Sequence, residues 1–103
     1  MSSNPTFSRN DDRRRFEAEL DGLVAFADFH QLNDRLTFLH TEVPRELEGR
    51  GVGGGLIRWA LDGARRDGMH VVPVCPFVAT WIRRHREYAD LVRPEFRHLI
   101  GSR

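Results

Sequence analysis

Glu48-Gly49-Arg50-Gly51-Val52-Gly53-Gly54-Gly55-Leu56 is the stretch that decides the reading of this 103-residue chain. It places five of the nine glycines in seven positions. A strand-like run ends just before it at Pro44, and a helix-like run starts near Gly54. Glycines at such a junction let backbone N–H groups turn inward without Cβ clashes, at the positive end of a helix dipole. The result is an anion cradle, for which phosphate or pyrophosphate is the natural ligand. A flexible linker is the other reading. Linkers of that kind bring Ser, Pro or polar residues and separate domains, whereas this stretch lies between apolar periodic runs of a short chain.

Upstream of the cradle the pattern has period two. Phe16, Ala18 and Leu20 alternate with Arg15, Glu17 and Glu19, the signature of a half-buried strand. Asp21-Gly22 then marks a hairpin turn. Residues 23–30 are apolar on both faces and fit a central strand; residues 31–35 turn again. Residues 36–43 form a third strand, with Leu36, Phe38, His40 and Glu42 alternating against Thr37, Leu39, Thr41 and Val43. Downstream the period becomes 3.6, with Leu56, Ile57, Ala60, Leu61 and Ala64 as one apolar stripe and Gly68 as the stop. Residues 69–75 read as a buried strand reached by a helical crossover, hence parallel to the third, and interrupted or parted from its neighbour at Pro73. A second helix is expected from Phe77 to about His85, with Val78, Trp81 and Ile82 inward. Residues 1–12 read as a flexible start and residues 93–103 as a tail without an assigned place. A turn is expected at Glu87-Tyr88-Ala89 and a break at Pro94. The fold class is α+β: a three-stranded antiparallel meander, a Gly-rich loop and helix, a parallel strand and a second helix.

Composition excludes several classes. One domain fits in 103 residues, and 40% apolar with 30% charged residues is ordinary for a globular protein. No apolar run reaches the ~20 residues of a membrane helix, and the polar start has no signal-peptide core, so the expected address is cytoplasmic, without a membrane partner. All 16 basic residues are Arg, which removes any Walker, Schiff-base or general-base lysine. A lone cysteine, Cys75, excludes an internal disulfide. The Arg13-Arg14-Arg15 and Arg83-Arg84 runs are interleaved with acids in a chain of net charge +1, which favours a solvated face over a nucleic-acid surface. The histidines show no metal-ligand spacing with Cys75.

Gly49-x-Gly51-x-x-Gly54 matches a dinucleotide fingerprint, but the following strand ends in Val74-Cys75-Pro76 with no acid for a ribose, and a meander is the wrong start for a doubly wound sheet. Glu48-x-x-Gly51-x-Gly53 resembles instead the Gln/Arg-x-x-Gly-x-Gly/Ala signature of the GNAT acetyltransferases. His40-Thr41-Glu42-Val43-Pro44, Cys75-Pro76-Phe77-Val78-Ala79 and Arg83-Arg84-His85-x-Glu87-Tyr88 are similar to the small single-domain branch of that superfamily, the N-acetyltransferase domain-containing proteins. The resemblance covers residues 13–92, which it implies are an acyl-CoA-binding domain.

It implies acetyl-CoA as cofactor, held by Val43, Glu48, Gly49, Arg50, Gly51, Val52, Gly53 and Gly54 with Arg83 and Arg84 nearby, and transfer of an acetyl group to an unidentified primary amine or protein acceptor by a monomer or weak dimer. The alternative is a module that binds or senses acyl-CoA without turnover. Two departures motivate it: Arg83 stands by register where larger members carry a proton-donating Tyr, and the helices that build their acceptor pocket are missing. Glu48 also replaces the Gln or Arg of the signature.

Cys75, Glu42 and His40 are the catalytic candidates. Cys75 lies between a strand end and a helix start, where the dipole favours a thiolate. It is read as a nucleophile, a thiol that pairs with coenzyme A, or a buried structural residue. Glu42 and His40, two residues apart on one strand, could take a proton from an ammonium; each is also an ordinary surface side chain.

Overall fold

The computed structural model describes residues 4–101. Residues 1–3 and 102–103, the extremes of the expected flexible start and tail, lie outside the described residues. A five-stranded sheet runs in chain order: β1 (Thr6–Asn10), β2 (Arg15–Leu20), β3 (Leu23–Leu32), β4 (Arg35–Glu42) and β5 (His70–Pro73). The first four strands are antiparallel and β5 is parallel to β4. A helix, α1 (Val52–Arg66), supplies the crossover, and a second, α2 (Pro76–Arg84), follows β5. Asp21 and Gly22 take φ of 55° and 78°, the double positive φ of a two-residue hairpin.

The expectation of a loose start is corrected by β1. Phe7, its single apolar side chain, stacks on Trp59 of α1 with ring centroids 6.0 Å apart, and the Arg9 guanidinium lies 4.6 Å from the centre of the Phe29 ring. Two anchors therefore hold an edge strand that has no apolar period, and the meander has four strands rather than three.

Ala18 from β2, Ala25, Ala27 and Phe29 from β3, and Leu36 and Phe38 from β4 form the core with Leu56, Ile57, Ala60, Leu61 and Ala64, the full α1 stripe. Small alanines on the sheet let α1 sit close, while Phe16 fills the middle with its ring centroid 4.8 Å from Phe29 and 5.8 Å from Phe38. The expected alternation of β4 is corrected at Leu39. Asp28 pairs with His40 but Phe29 pairs with Phe38, so Leu39 is an extra residue on β4 and the side-chain parity changes there. Thr41, opposite the buried Ala27, joins Leu36 and Phe38 on the α1 side. His40 and Glu42, opposite Asp28 and Phe26, point to the other face.

β5 ends at Pro73, and α1 starts at Val52, two residues earlier than expected. The chain beyond α2 is ordered in two 3-10 segments, Arg86–Leu91 and Pro94–Ile100, with Tyr88, Leu91, Val92 and Ile100 buried. The expected turn at Glu87-Tyr88-Ala89 falls inside the first, and Pro94 opens the second. No helix among the described residues is long and apolar enough to cross a membrane.

Candidate functional site

The β4–α1 junction is built to leave donors free. Gly51, the residue before α1, has φ 78° and ψ 7°, a left-handed conformation that suits glycine, and no side chain caps the helix. The first α1 amide with an intrahelical acceptor is that of Gly55, which donates to the Gly51 carbonyl at 2.9 Å. The N–H groups of Val52, Gly53 and Gly54 before it have no carbonyl one turn back, and no acid stands in the first turn to answer their partial positive charge.

These residues border a cleft of about 450 Å³ lined by Thr41, Val43, Leu47, Glu48, Gly49, Gly51, Val52, Gly53, Gly54 and Phe77. Most of the expected cofactor residues thus meet in one place. Arg50 is not among the lining residues: its guanidinium reaches back 3.2 Å to Asp21 in the hairpin turn. Arg83 and Arg84 sit in the last turn of α2, about 12 Å along the helix from Cys75. Arg83 lies near Thr80, and Arg84 borders a neighbouring cleft with Phe77, Trp81 and His85. The first cleft therefore presents backbone amides and, at Glu48, a carboxylate, with no arginine among its lining residues.

Gly53 is set by close approach. A Cβ there would stand 2.9 Å from Phe77 Cζ and 3.0 Å from Val43 Cγ2. Gly53 is buried, so an added methyl there must push one of these two side chains aside.

The catalytic candidates divide between the two faces of the sheet. Cys75 is 4% exposed, and its Sγ lies 3.4 Å from Thr41 Oγ1 on the α1 side. His40 Nε2 and Glu42 Oε2 are 2.9 Å apart on the other face, both well exposed. Between them the sheet is open. Pairing of β4 with β5 stops at Phe38 and Pro73, reinforced by the Cys75 N–H donating to the Phe38 carbonyl at 2.9 Å, and beyond that bond the β5-side edge of β4 has no strand partner.

Sequence reasoning did not single out Thr41, Leu47 or Phe77 as wall residues. Their signal was positional only: each follows or precedes a candidate by one or two residues. It also missed the joint made by Tyr88, whose hydroxyl donates to Asp62 at 2.6 Å and accepts from Arg58 at 3.1 Å. Burial, then the bond to the Asp62 carboxylate, raises the Tyr88 phenol above its usual 10. Arg65 forms a two-pronged pair with Asp90 beside it, which lowers the Asp90 carboxyl. Together these tie the 3-10 segment to α1 behind the cleft. No group of three or more His, Cys, Asp or Glu among the described residues is placed to hold a metal ion.

The family model for the GCN5-related N-acetyl-transferase matches residues 15–91. No curated protein matches the chain.

Proposed function

Because the chain belongs to the GCN5-related N-acetyltransferase family, a family of acetyl-transfer domains, we propose that it binds acetyl-CoA in the cleft at the start of α1 and transfers the acetyl group to a primary amine. The observation that carries this is the row of free amides at Val52, Gly53 and Gly54, uncapped and bordering a cleft that is also lined by Thr41, on the stretch of β4 past its last β5 partner. The chain's residues fit the cofactor there: amides and helix dipole for a diphosphate, and the unpartnered edge of β4 for an amide-bearing arm. Val43 and Phe77 form the apolar wall, and Arg84 borders the adjoining cleft where further phosphate would lie.

Acetyl-CoA supplies an activated acetyl thioester when bound. The gap lets the amine approach from the face opposite α1, where Glu42, in contact with His40, takes the proton that the ammonium must lose before attack. Attack of the freed amine on the thioester would release coenzyme A as its thiolate, which takes up the proton that the new amide nitrogen sheds. Cys75 and Thr41 border the gap on the cofactor's side. The separation of Cys75 from the Glu42–His40 pair favours direct transfer over passage of the acetyl group through a cysteine.

Calorimetric titration with acetyl-CoA and with NAD tests the assignment; tighter binding of NAD overturns it. Gly51→Asp sharpens the test. Aspartate tolerates the left-handed region and suits a helix N-terminus, so the free protein changes by less than about 1 kcal/mol, whereas a carboxylate at the cradle weakens acetyl-CoA at least about tenfold. A variant with full affinity would move the phosphate site elsewhere.

The exposure of both base candidates favours a second reading, a module that holds acyl-CoA without turnover. Thiol release with any amine in a broad panel removes that reading.

A further inference from the structure

The sheet face opposite α1 has a defined order that the cleft does not use. Strand pairing places its side chains in rows: Asn10, Arg15, Asp28 and His40 in one; Ser8, Glu17, Phe26 and Glu42 in the next; Thr6, Glu19 and Val24 in the third. At about 4.8 Å between strands the rows run roughly 14 Å across β1 to β4. α1 is the helix that packs on β2 and β3, and it does so from the other side. Val24 is 38% exposed, and Phe26 is half-buried beneath the Arg15 guanidinium, 4.3 Å from its ring centre, and beside the His40 ring.

The charge on this face is one-sided. In these three rows Glu17, Glu19, Asp28 and Glu42 stand against Arg15, in a chain whose net charge is +1; Arg35, further along the same face opposite Leu32, holds its guanidinium over the Phe96 ring, 5.3 Å from its centre. Arg15 is already committed to Glu17 at 2.8 Å, and Asn10 also donates to Glu17. Among the described residues Glu19, Asp28 and Glu42 have no arginine partner. Glu42 and His40, where these rows end, border the gap between β4 and β5.

From this continuity and charge we infer that the open face is the acceptor's docking surface, and that the acceptor is a lysine-bearing basic segment of a protein laid across β2 to β4 with its amine delivered to Glu42. The inference rests on the transferase reading for the reaction but not for the docking. An open, uncovered face gives a small amine few contacts, while an extended chain gains from many: ammonium groups on Glu19 and Asp28, and apolar contact with Val24 and Phe26.

Two measurements separate the claims. The first is binding of a short fluorescent peptide with lysine at every third position, followed by anisotropy at low salt, to the wild type, to Glu19→Gln and to the Glu19→Lys/Asp28→Asn double variant. The double variant weakens the peptide about tenfold, the single variant by a smaller step, and salt near 1 M removes most of the binding. Acetyl-CoA affinity is the same in all three proteins, which shows that they are folded. Equal peptide affinity in the three overturns the inference. So does spermidine that displaces the peptide at equal concentration, because the acceptor would then be a small polyamine. The second measurement is thiol release from acetyl-CoA with the same peptide. Charge-dependent peptide binding without thiol release overturns the transferase reading alone and leaves the docking surface standing.

Discussion

Gly53 carries the tightest constraint at the scale of single residues. A methyl there must move the Phe77 ring or Val43, so Gly53→Ala costs the free protein about 1–3 kcal/mol by thermal denaturation, the usual penalty of overpacking. Phe77→Leu opens room for it. The double variant is therefore less destabilised than the two single changes added together, and strict additivity in that cycle would show that the two side chains do not meet. Glu48 works in the opposite sense: it sets a carboxylate beside the proposed phosphate site, so Glu48→Gln tightens acetyl-CoA by about three- to tenfold at low salt, read by calorimetry. Tyr88 can be followed directly because it is the chain's one tyrosine. Its tyrosinate absorbance rises with a midpoint above 10 in the folded protein and near 10 in denaturant. Since the folded value is the raised one, the stabilisation from the buried neutral phenol is complete below pH 10 and is lost as pH climbs through the folded value. Tyr88→Phe lacks that alkaline loss and is less stable at neutral pH by about 1–2 kcal/mol, having left Asp62 and Arg58 without the shared hydroxyl. The cradle was legible in the sequence because glycine clustering is a local signal. The Tyr88 joint was not, since it links residues 26 and 30 positions apart that no spacing rule connects.

β1 shows at the scale of elements where periodicity stops being informative. An edge strand buries one face at most, and in Thr6–Asn10 a single phenylalanine does that work, so no alternation exists to be read. Phe7→Ala removes the stack on Trp59 and destabilises the protein by about 1–3 kcal/mol while acetyl-CoA affinity is unchanged; a loose terminus would give no change in melting temperature. The bulge in β4 was hidden for a different reason. Leu36, Phe38, His40 and Glu42 form an unbroken alternation on paper, and only pairing with β3 shows that Leu39 is an extra residue without a partner of its own. The consequence for the site is large: it sends Thr41 to the α1 side, where it lines the cleft with Val43, and the Glu42–His40 pair to the opposite face. The α1 and α2 helices, by contrast, were plain from their apolar stripes, because a helix declares its buried face within its own few turns.

The whole molecule responds to acid through pairs that lie outside the cleft. Asp90 is lowered by Arg65, and Glu17 by Arg15, each mainly through a charge-assisted hydrogen bond. Both folded values lie below the unfolded ones, so this stabilisation is present above the ordinary carboxyl range, starts to fade as pH falls past 4.5 for Glu17 and 3.8 for Asp90, and is lost through the depressed folded values. Asp90→Asn therefore melts below the wild type at pH 6, and the gap closes under pH 3.8. Fold class was readable from the succession of periods, since each change from two to 3.6 is recorded in neighbouring residues. What one face of the sheet contributes against the other was not, because it depends on register across strands. The strand order carries one more consequence, which concerns how the chain is made. Strands numbered one to five lie side by side in that same order, so on the ribosome β2, β3 and β4 each find a partner in the strand translated just before. β5 alone must wait for α1 and close the span from Glu42 to His70. The cleft's last wall, Phe77, arrives after that, so a nascent chain acquires its sheet early and its capacity to hold a ligand only once residues 70–79 have emerged.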